Sequence, residues 1–205
     1  MALDKTDFYL LLFLFSALSI TFAGHGASVD ENLIIQVMNS FYQQGELTVD
    51  RMFQALPGPE GKYYSRYGFG FPLALAPFYL LGVGLEALFG RADVFYRDPQ
   101  FFALLVGQLV FTTLTGWVFY RICLRLGAAK PSAVLLTLAL IFGTSFWAYS
   151  QALYRLTFST LIMLLVFWLV LARKEKPDTR YDLGIIALIA FGLNVREDLA
   201  ITFCL

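Results

Sequence analysis

The feature that most narrows what this chain can become is the length of its uncharged apolar runs. A helix needs about 20 predominantly apolar residues to cross the hydrocarbon core of a bilayer. Phe101 to Tyr120 and Pro131 to Tyr154 each provide such a run without one charged side chain. The first ends at Arg121 and Arg125, and the second begins just after Lys130. Hydrophobic residues make up 59% of the chain and charged ones only 15%, more apolar surface than a water-soluble domain can hide. The expected fold is therefore all-α, a polytopic transmembrane helical bundle. Spans are expected near 8–23, 101–120, 131–154 and 156–172, with a partial one over 183–205 and an outward loop over 24–100. The first run is slightly short and flanked only by Lys5, a pattern that a cleaved signal peptide shares.

Orientation follows from the excess of Lys and Arg on cytoplasmic loops. Arg121, Arg125 and Lys130 form one basic cluster, and Arg173, Lys174, Lys176 and Arg180 form another. Both belong inside, which puts Gln151 to Arg155 and Arg196 to Asp198 outside. Gly68 to Phe89 is apolar but interrupted by Pro72, Pro77, Gly82, Gly84 and Glu86. Charge alone leaves it either a span, with the N-terminus outside, or an interfacial helix, with the N-terminus inside. Its Pro and Gly content favours the interfacial form.

The largest collection of polar groups lies between the first span and Phe101. Ser28-Val29-Asp30-Glu31 can open a helix with a capping box between Ser28 and Glu31. Leu33, Ile34, Val37, Met38 and Phe41 then recur on one helical face and Gly45 marks the stop, as in an amphipathic helix resting on the membrane surface. Asp30 falls in the first turn, where free backbone N–H groups and the helix dipole favour its ionised form. An ionised carboxylate at the lip of a membrane suits a general base, and the same pair also suffices as a plain helix start. Downstream, Gly61 to Pro72 pairs cations with rings: Lys62 and Arg66 with Tyr63, Tyr64 and Tyr67. Such a run can hold a lipid phosphate, or serve as an ordinary aromatic belt with snorkelling cations.

Taken in order, the first span, the Asp30-Glu31 pair, the run from Gly61-Lys62-Tyr63-Tyr64-Ser65 to Pro72 and the Pro-rich apolar helix resemble the GT-C superfamily of membrane glycosyltransferases. The likeness is to the polyprenyl-phosphate-sugar-dependent kind, such as protein mannosyltransferases and aminoarabinose transferases. Phe142 to Ser150 resembles the family's third span as it reaches the outer face. The likeness covers residues 1–205 as the N-terminal part of one such domain, and the apolar end at Leu199 to Leu205 suggests the same. It implies extracytoplasmic juxtamembrane helices in the first loop, Gly68 to Phe89 among them, and a cytoplasmic N-terminus in a plasma (inner) membrane.

The resemblance also implies a mechanism. Asp30 takes the proton from an acceptor hydroxyl, which attacks the anomeric carbon of a lipid-linked sugar with inversion, and Glu31 orients the helix start. Lys62, Arg66 and Arg196 stabilise the departing polyprenyl phosphate, while Tyr63, Tyr64 and Tyr67 line the substrate. The partners implied are a polyprenyl-phosphate-linked sugar donor and a lipid, glycan or protein acceptor, with no nucleic acid. Relatives often carry an acidic residue in the second outward loop, but Gln151 to Thr157 has none, so no metal site and no cofactor are expected here. His25 reads as an interface residue, and Cys123 and Cys204 as packing residues. Two rival readings are a transporter or channel, which would cluster polar residues inside the spans, and a truncated, inactive glycosyltransferase fragment.

Overall fold

The computed structural model describes residues 4–22, 29–52, 54–90, 99–197 and 199; His25, Ser28, Asp198 and Cys204 lie outside them. The chain is mostly helical. Its helices are α1 (Lys5–Ile20), α2 (Val29–Gln44), α3 (Gly70–Phe89), α4 (Pro99–Arg125), α5 (Lys130–Phe142), α6 (Phe146–Ser150), α7 (Arg155–Glu175) and α8 (Thr179–Val195). By length and composition α3, α4 and α7 are long and apolar enough to cross a membrane.

The organising element is α4, whose 27 residues extend about 40 Å at 1.5 Å per residue. Helices α1 and α3 both run antiparallel to it, but along successive lengths. Asp7 of α1 bonds Arg121, and a Cβ on Gly116 would meet Leu14. Phe71 of α3 faces Phe111, and a Cβ on Gly82 would lie 2.6 Å from the Gln100 Cα. Helix α5 shares the level of α1, with Lys130 bonded to Asp4 and Ile141 beside Gly116. Helix α7 descends parallel to α4, from Phe158 against Phe111 to Glu175 against Arg125, and α8 returns from Asp182 at Arg173 to Phe191 at Phe158. The ends of α1, α5, α7 and α8 thus fall at two common levels, and α3 stands beyond one of them beside the N-terminal part of α4.

Ion pairs lace the other level: Asp7–Arg121 at 2.8 Å, Asp4–Lys130 at 2.7 Å, Arg125–Glu175 at 2.9 Å and Arg173–Asp182 at 2.6 Å. Between the levels Phe8, Leu12, Leu135, Leu136, Val170, Leu183 and Ile186 are exposed. An apolar belt of that extent suits hydrocarbon rather than water.

The segment Gly68 to Phe89, expected as a span or an interfacial helix, is one helix over Gly70–Phe89, 20 residues long. Pro72 sits in its first turn, where a missing N–H costs little, and Gly82 serves close approach to α4 rather than a break. Residues 131–154 do not form one helix: α5 stops at Phe142, and Gly143 to Ser145 turn the chain into α6. The apolar face of α2 does not rest on a membrane surface. Ile34 and Met38 are buried with Phe71, Leu75 and Tyr79, and Leu33 and Val37 with Val49. Finally, the all-α expectation missed a small sheet of order β1-β3-β2, built from β1 (Thr48–Val49), β2 (Ala55–Pro57) and β3 (Tyr63–Ser65). Strands β1 and β3 are rich in β-branched and aromatic residues, and Glu60 (φ 59°) and Gly61 (φ 72°) supply the left-handed turn between β2 and β3.

Candidate functional site

Three chain segments meet at the level away from the ion pairs: the start of α2, the turn from α6 into α7, and the end of α8. Between them lies a cleft of about 350 Å³ lined by Asp30, Ile34, Tyr149, Leu153, Tyr154, Arg155, Leu156 and Arg196. Ligand pockets typically start at about 300 Å³, so the space admits a small polar group.

Each wall is fixed by identifiable contacts. Glu31 is fully buried and its Oε1 accepts the Leu153 backbone N–H at 3.0 Å, tying α2 to the turn before α7. Beneath that turn the Gln108 carboxamide donates to the Tyr149 and Tyr154 carbonyls at 3.2 and 3.1 Å and to the Thr157 hydroxyl at 2.6 Å. Backbone left open by the end of α6 is thereby satisfied inside an apolar bundle, where an unpaired carbonyl is costly. The end of α8 is held by glycines of the segment entering α3: a Cβ on Gly68 would lie 2.0 Å from the Asn194 carbonyl oxygen.

Asp30 is half-buried and accepts from the Tyr67 hydroxyl at 3.1 Å; the same hydroxyl contacts Gln54 Oε1. Burial, and then the charge of Asp30, raise the Tyr67 pKa above its ordinary value, which keeps the phenol a donor. The Arg155 guanidinium stacks on the Tyr67 ring, 3.5 Å from its centre, and Arg66 lies 5.2 Å from the same ring. One Arg155 N–H reaches the Val195 carbonyl at 3.4 Å. A carboxylate and two guanidinium groups, from Arg155 and Arg196, therefore share one partly sheltered space. Such an arrangement can accept a proton at one wall and neutralise an anion at the other.

Of the residues expected from sequence, Asp30 and Arg196 line the cleft, Tyr67 and Arg66 stand behind Asp30, and Glu31 braces it. Lys62, Tyr63 and Tyr64 are not brought there. The Lys62 ammonium pairs with Glu46 at 2.7 Å; that bond holds the Glu46 carboxyl below its usual range and Lys62 above its own. Tyr63 lies under Arg51 at 5.8 Å, and the Tyr64 ring packs over Gly58. The split follows position along the chain: Lys62, Tyr63 and Tyr64 sit at the start of β3, whereas Arg66 and Tyr67 follow its last residue, Ser65, where the chain reaches Asp30. Sequence reasoning passed over Arg155, Tyr149, Tyr154 and Gln54. Arg155 carried a usable signal, a cation opening an apolar run at the level expected for Asp30. Among the described residues no three His, Cys, Asp or Glu side chains converge as metal ligands. No protein-family model, curated protein or solved structure matches this chain.

Proposed function

We propose that the protein is a membrane glycosyltransferase that moves a sugar from a polyprenyl-phosphate carrier to an acceptor hydroxyl. The observation that carries this reading is the shared cleft of Asp30, Arg155 and Arg196. Asp30 removes the acceptor proton as the acceptor oxygen bonds to the anomeric carbon. The bond from that carbon to the phosphate oxygen breaks, its electron pair leaves with the polyprenyl phosphate, and the configuration inverts. Arg155 and Arg196 neutralise the departing phosphate, where a planar guanidinium matches the oxygens better than an ammonium does. No nucleotide is required, because the donor is already activated.

In this reading α1, α4, α5 with α6, α7 and α8 occupy a plasma (inner) membrane, and α2, the sheet and α3 form an extracytoplasmic first loop. The basic clusters at the opposite level, Arg121 to Lys130 and Arg173 to Arg180, favour that side as cytoplasmic. The alternative of a conduction path is less well supported. The Thr112, Thr115 and Thr137 hydroxyls each donate to the carbonyl four residues earlier in their own helix, which spends them on backbone.

The test is transfer in proteoliposomes from polyprenyl-phosphate-linked radiolabelled hexoses and pentoses. Asp30→Asn should lower transfer by about 10²-fold or more, the usual contribution of a general base, with membrane insertion unchanged. Near-parental transfer by that variant removes Asp30 as the base and the reading with it.

A further inference from the structure

The polar face of α2 turns away from the cleft and is unusual for a helix in water. Solvated helix faces are ordinarily laced with Lys, Arg and Glu, whereas this one presents Gln36, Asn39, Ser40, Gln43 and Gln44 and no cation. The chain returning through β1 closes over that face. Between them lies a second recess of about 220 Å³, lined by those five residues with Thr48, Val49 and Asp50.

Its donors and acceptors are held in place by bonds, those to Asn39 coming from α3 and α4 and the others running across the recess itself. Gln36 Oε1 accepts the Asp50 backbone N–H at 2.9 Å, which leaves its NH₂ group for a ligand. Asn39 Oδ1 accepts from the Tyr79 hydroxyl at 2.9 Å and from Gln100 at 3.4 Å, which orients its NH₂ likewise. The Ser40 and Thr48 hydroxyls bond each other at 2.8 Å. Gln43, Gln44 and the Asp50 carboxylate are exposed at the rim.

From this lining we infer a binding site for a neutral sugar residue, separate from the Asp30 cleft. Carboxamides and a carboxylate pair with vicinal hydroxyls, each of which donates and accepts. An anionic ligand would meet Asp50 and no cation, and an apolar one would leave the carboxamides unpaired at a cost. Val49 is the single apolar side chain of the lining. Such a site would hold a glycan remote from the reacting centre, and it does not depend on the cleft being catalytic.

The experiment is saturation-transfer NMR on the full chain in lipid nanodiscs, with mannotriose and maltotriose as neutral probes and a uronate-containing disaccharide as the charged one. Saturable transfer to at least one trisaccharide is expected, with the uronate at least fivefold weaker. The rim variant Gln43→Ala with Asp50→Ala should weaken trisaccharide binding at least fivefold, and Asp30→Asn should leave it unchanged. Both rim residues are exposed, so the variant keeps the fold, which circular dichroism checks. Absence of saturable binding, equal binding of the uronate, or a rim variant as tight as the parent overturns the site. Loss of trisaccharide binding in Asp30→Asn alone assigns the sugar to the cleft and equally overturns it.

Discussion

The guanidinium carbon of Arg155 lies 3.5 Å from the centre of the Tyr67 ring, and the hydroxyl of that ring reaches the Asp30 carboxylate at 3.1 Å. One tyrosine therefore positions both the carboxylate and a cation of the cleft. Replacing Arg155 by Lys keeps the charge but loses the planar stack and the fixed fork of donors. Arg155→Lys should lower transfer about tenfold and Arg155→Ala about 10²-fold, the range for a lost oxyanion donor. Steady-state kinetics against donor concentration checks this; parental kcat and KM in Arg155→Ala would remove the residue from the site.

A buried charge also lies at the other end. Asp7 is fully buried, bonded to Arg121 at 2.8 Å and to the Trp117 indole N–H at 2.9 Å. Breaking a buried pair from one side typically costs about 3–5 kcal/mol, because the remaining charge has no counterpart. Asp7→Asn should therefore lower the unfolding temperature in detergent clearly, whereas Asp7→Leu combined with Arg121→Met should recover most of the loss. A double variant no more stable than Asp7→Asn would mean that the pair itself, rather than the uncompensated Arg121, holds α1 on α4.

These two sites differ in how far the sequence disclosed them. The apolar runs announced α4 and α7, since length and lack of charge are local properties. Asp30 was legible as a helix-start carboxylate, and Arg196 as a cation at the expected level. The break at Gly143 to Ser145 lies inside a long uncharged run, and hydropathy does not distinguish a helix from a turn in which the Thr144 hydroxyl donates to the Leu140 carbonyl and accepts the Phe146 N–H. The pairing of Asp7 with Arg121 and of Glu31 with Leu153 joins residues more than a hundred positions apart. No spacing rule along the chain encodes such contacts. The place of Lys62 in an aromatic run suggests the phosphate role, and its ion pair with Glu46, 16 residues earlier, is a tertiary contact that no local pattern encodes.

Lys62 offers a pH signature that separates these roles. Its bond to Glu46 lowers the Glu46 pKa below its ordinary value and raises its own above the usual lysine range. The stabilisation from Glu46 is thus present above its unfolded pKa and fades as pH falls through the lowered value. That from Lys62 is present below its unfolded pKa and is lost as pH rises through the raised one. The pair is solvent-exposed and contributes little to stability. In Lys62→Ala the Glu46 carboxyl should titrate nearer its ordinary value, read by carbon-13 NMR of the carboxyl, with transfer close to parental. A strong loss of donor use in that variant would return Lys62 to the phosphate site.

Topology can be read with single cysteines on a Cys-free background, at exposed Glu60 in the turn between β2 and β3 and at exposed Lys176 after α7. The two positions lie toward opposite levels of the bundle. Glu60→Cys should react with an impermeant maleimide in intact cells, and Lys176→Cys only after permeabilisation. Reaction of both from outside would contradict the single slab formed by α1, α5, α7 and α8.

The end of α8 gives the sharpest steric test. A Cβ on Gly68 would stand 2.0 Å from the Asn194 carbonyl oxygen and 2.8 Å from its carbonyl carbon, and backbone cannot yield as a flexible side chain can. Gly68→Ala must push α8 away from the segment entering α3. Arg196 follows two residues after Asn194, so the displacement moves a cation of the cleft without touching any group that lines it. The expected result is a raised donor KM, with kcat less affected and stability lowered by about 1–3 kcal/mol, as for other overpacked contacts. Gly84→Ala is the matched control, since a Cβ there meets nothing within 4 Å and should leave donor KM unchanged. Equal behaviour of the two variants would show that the contact of Gly68 with Asn194 does not set the position of Arg196.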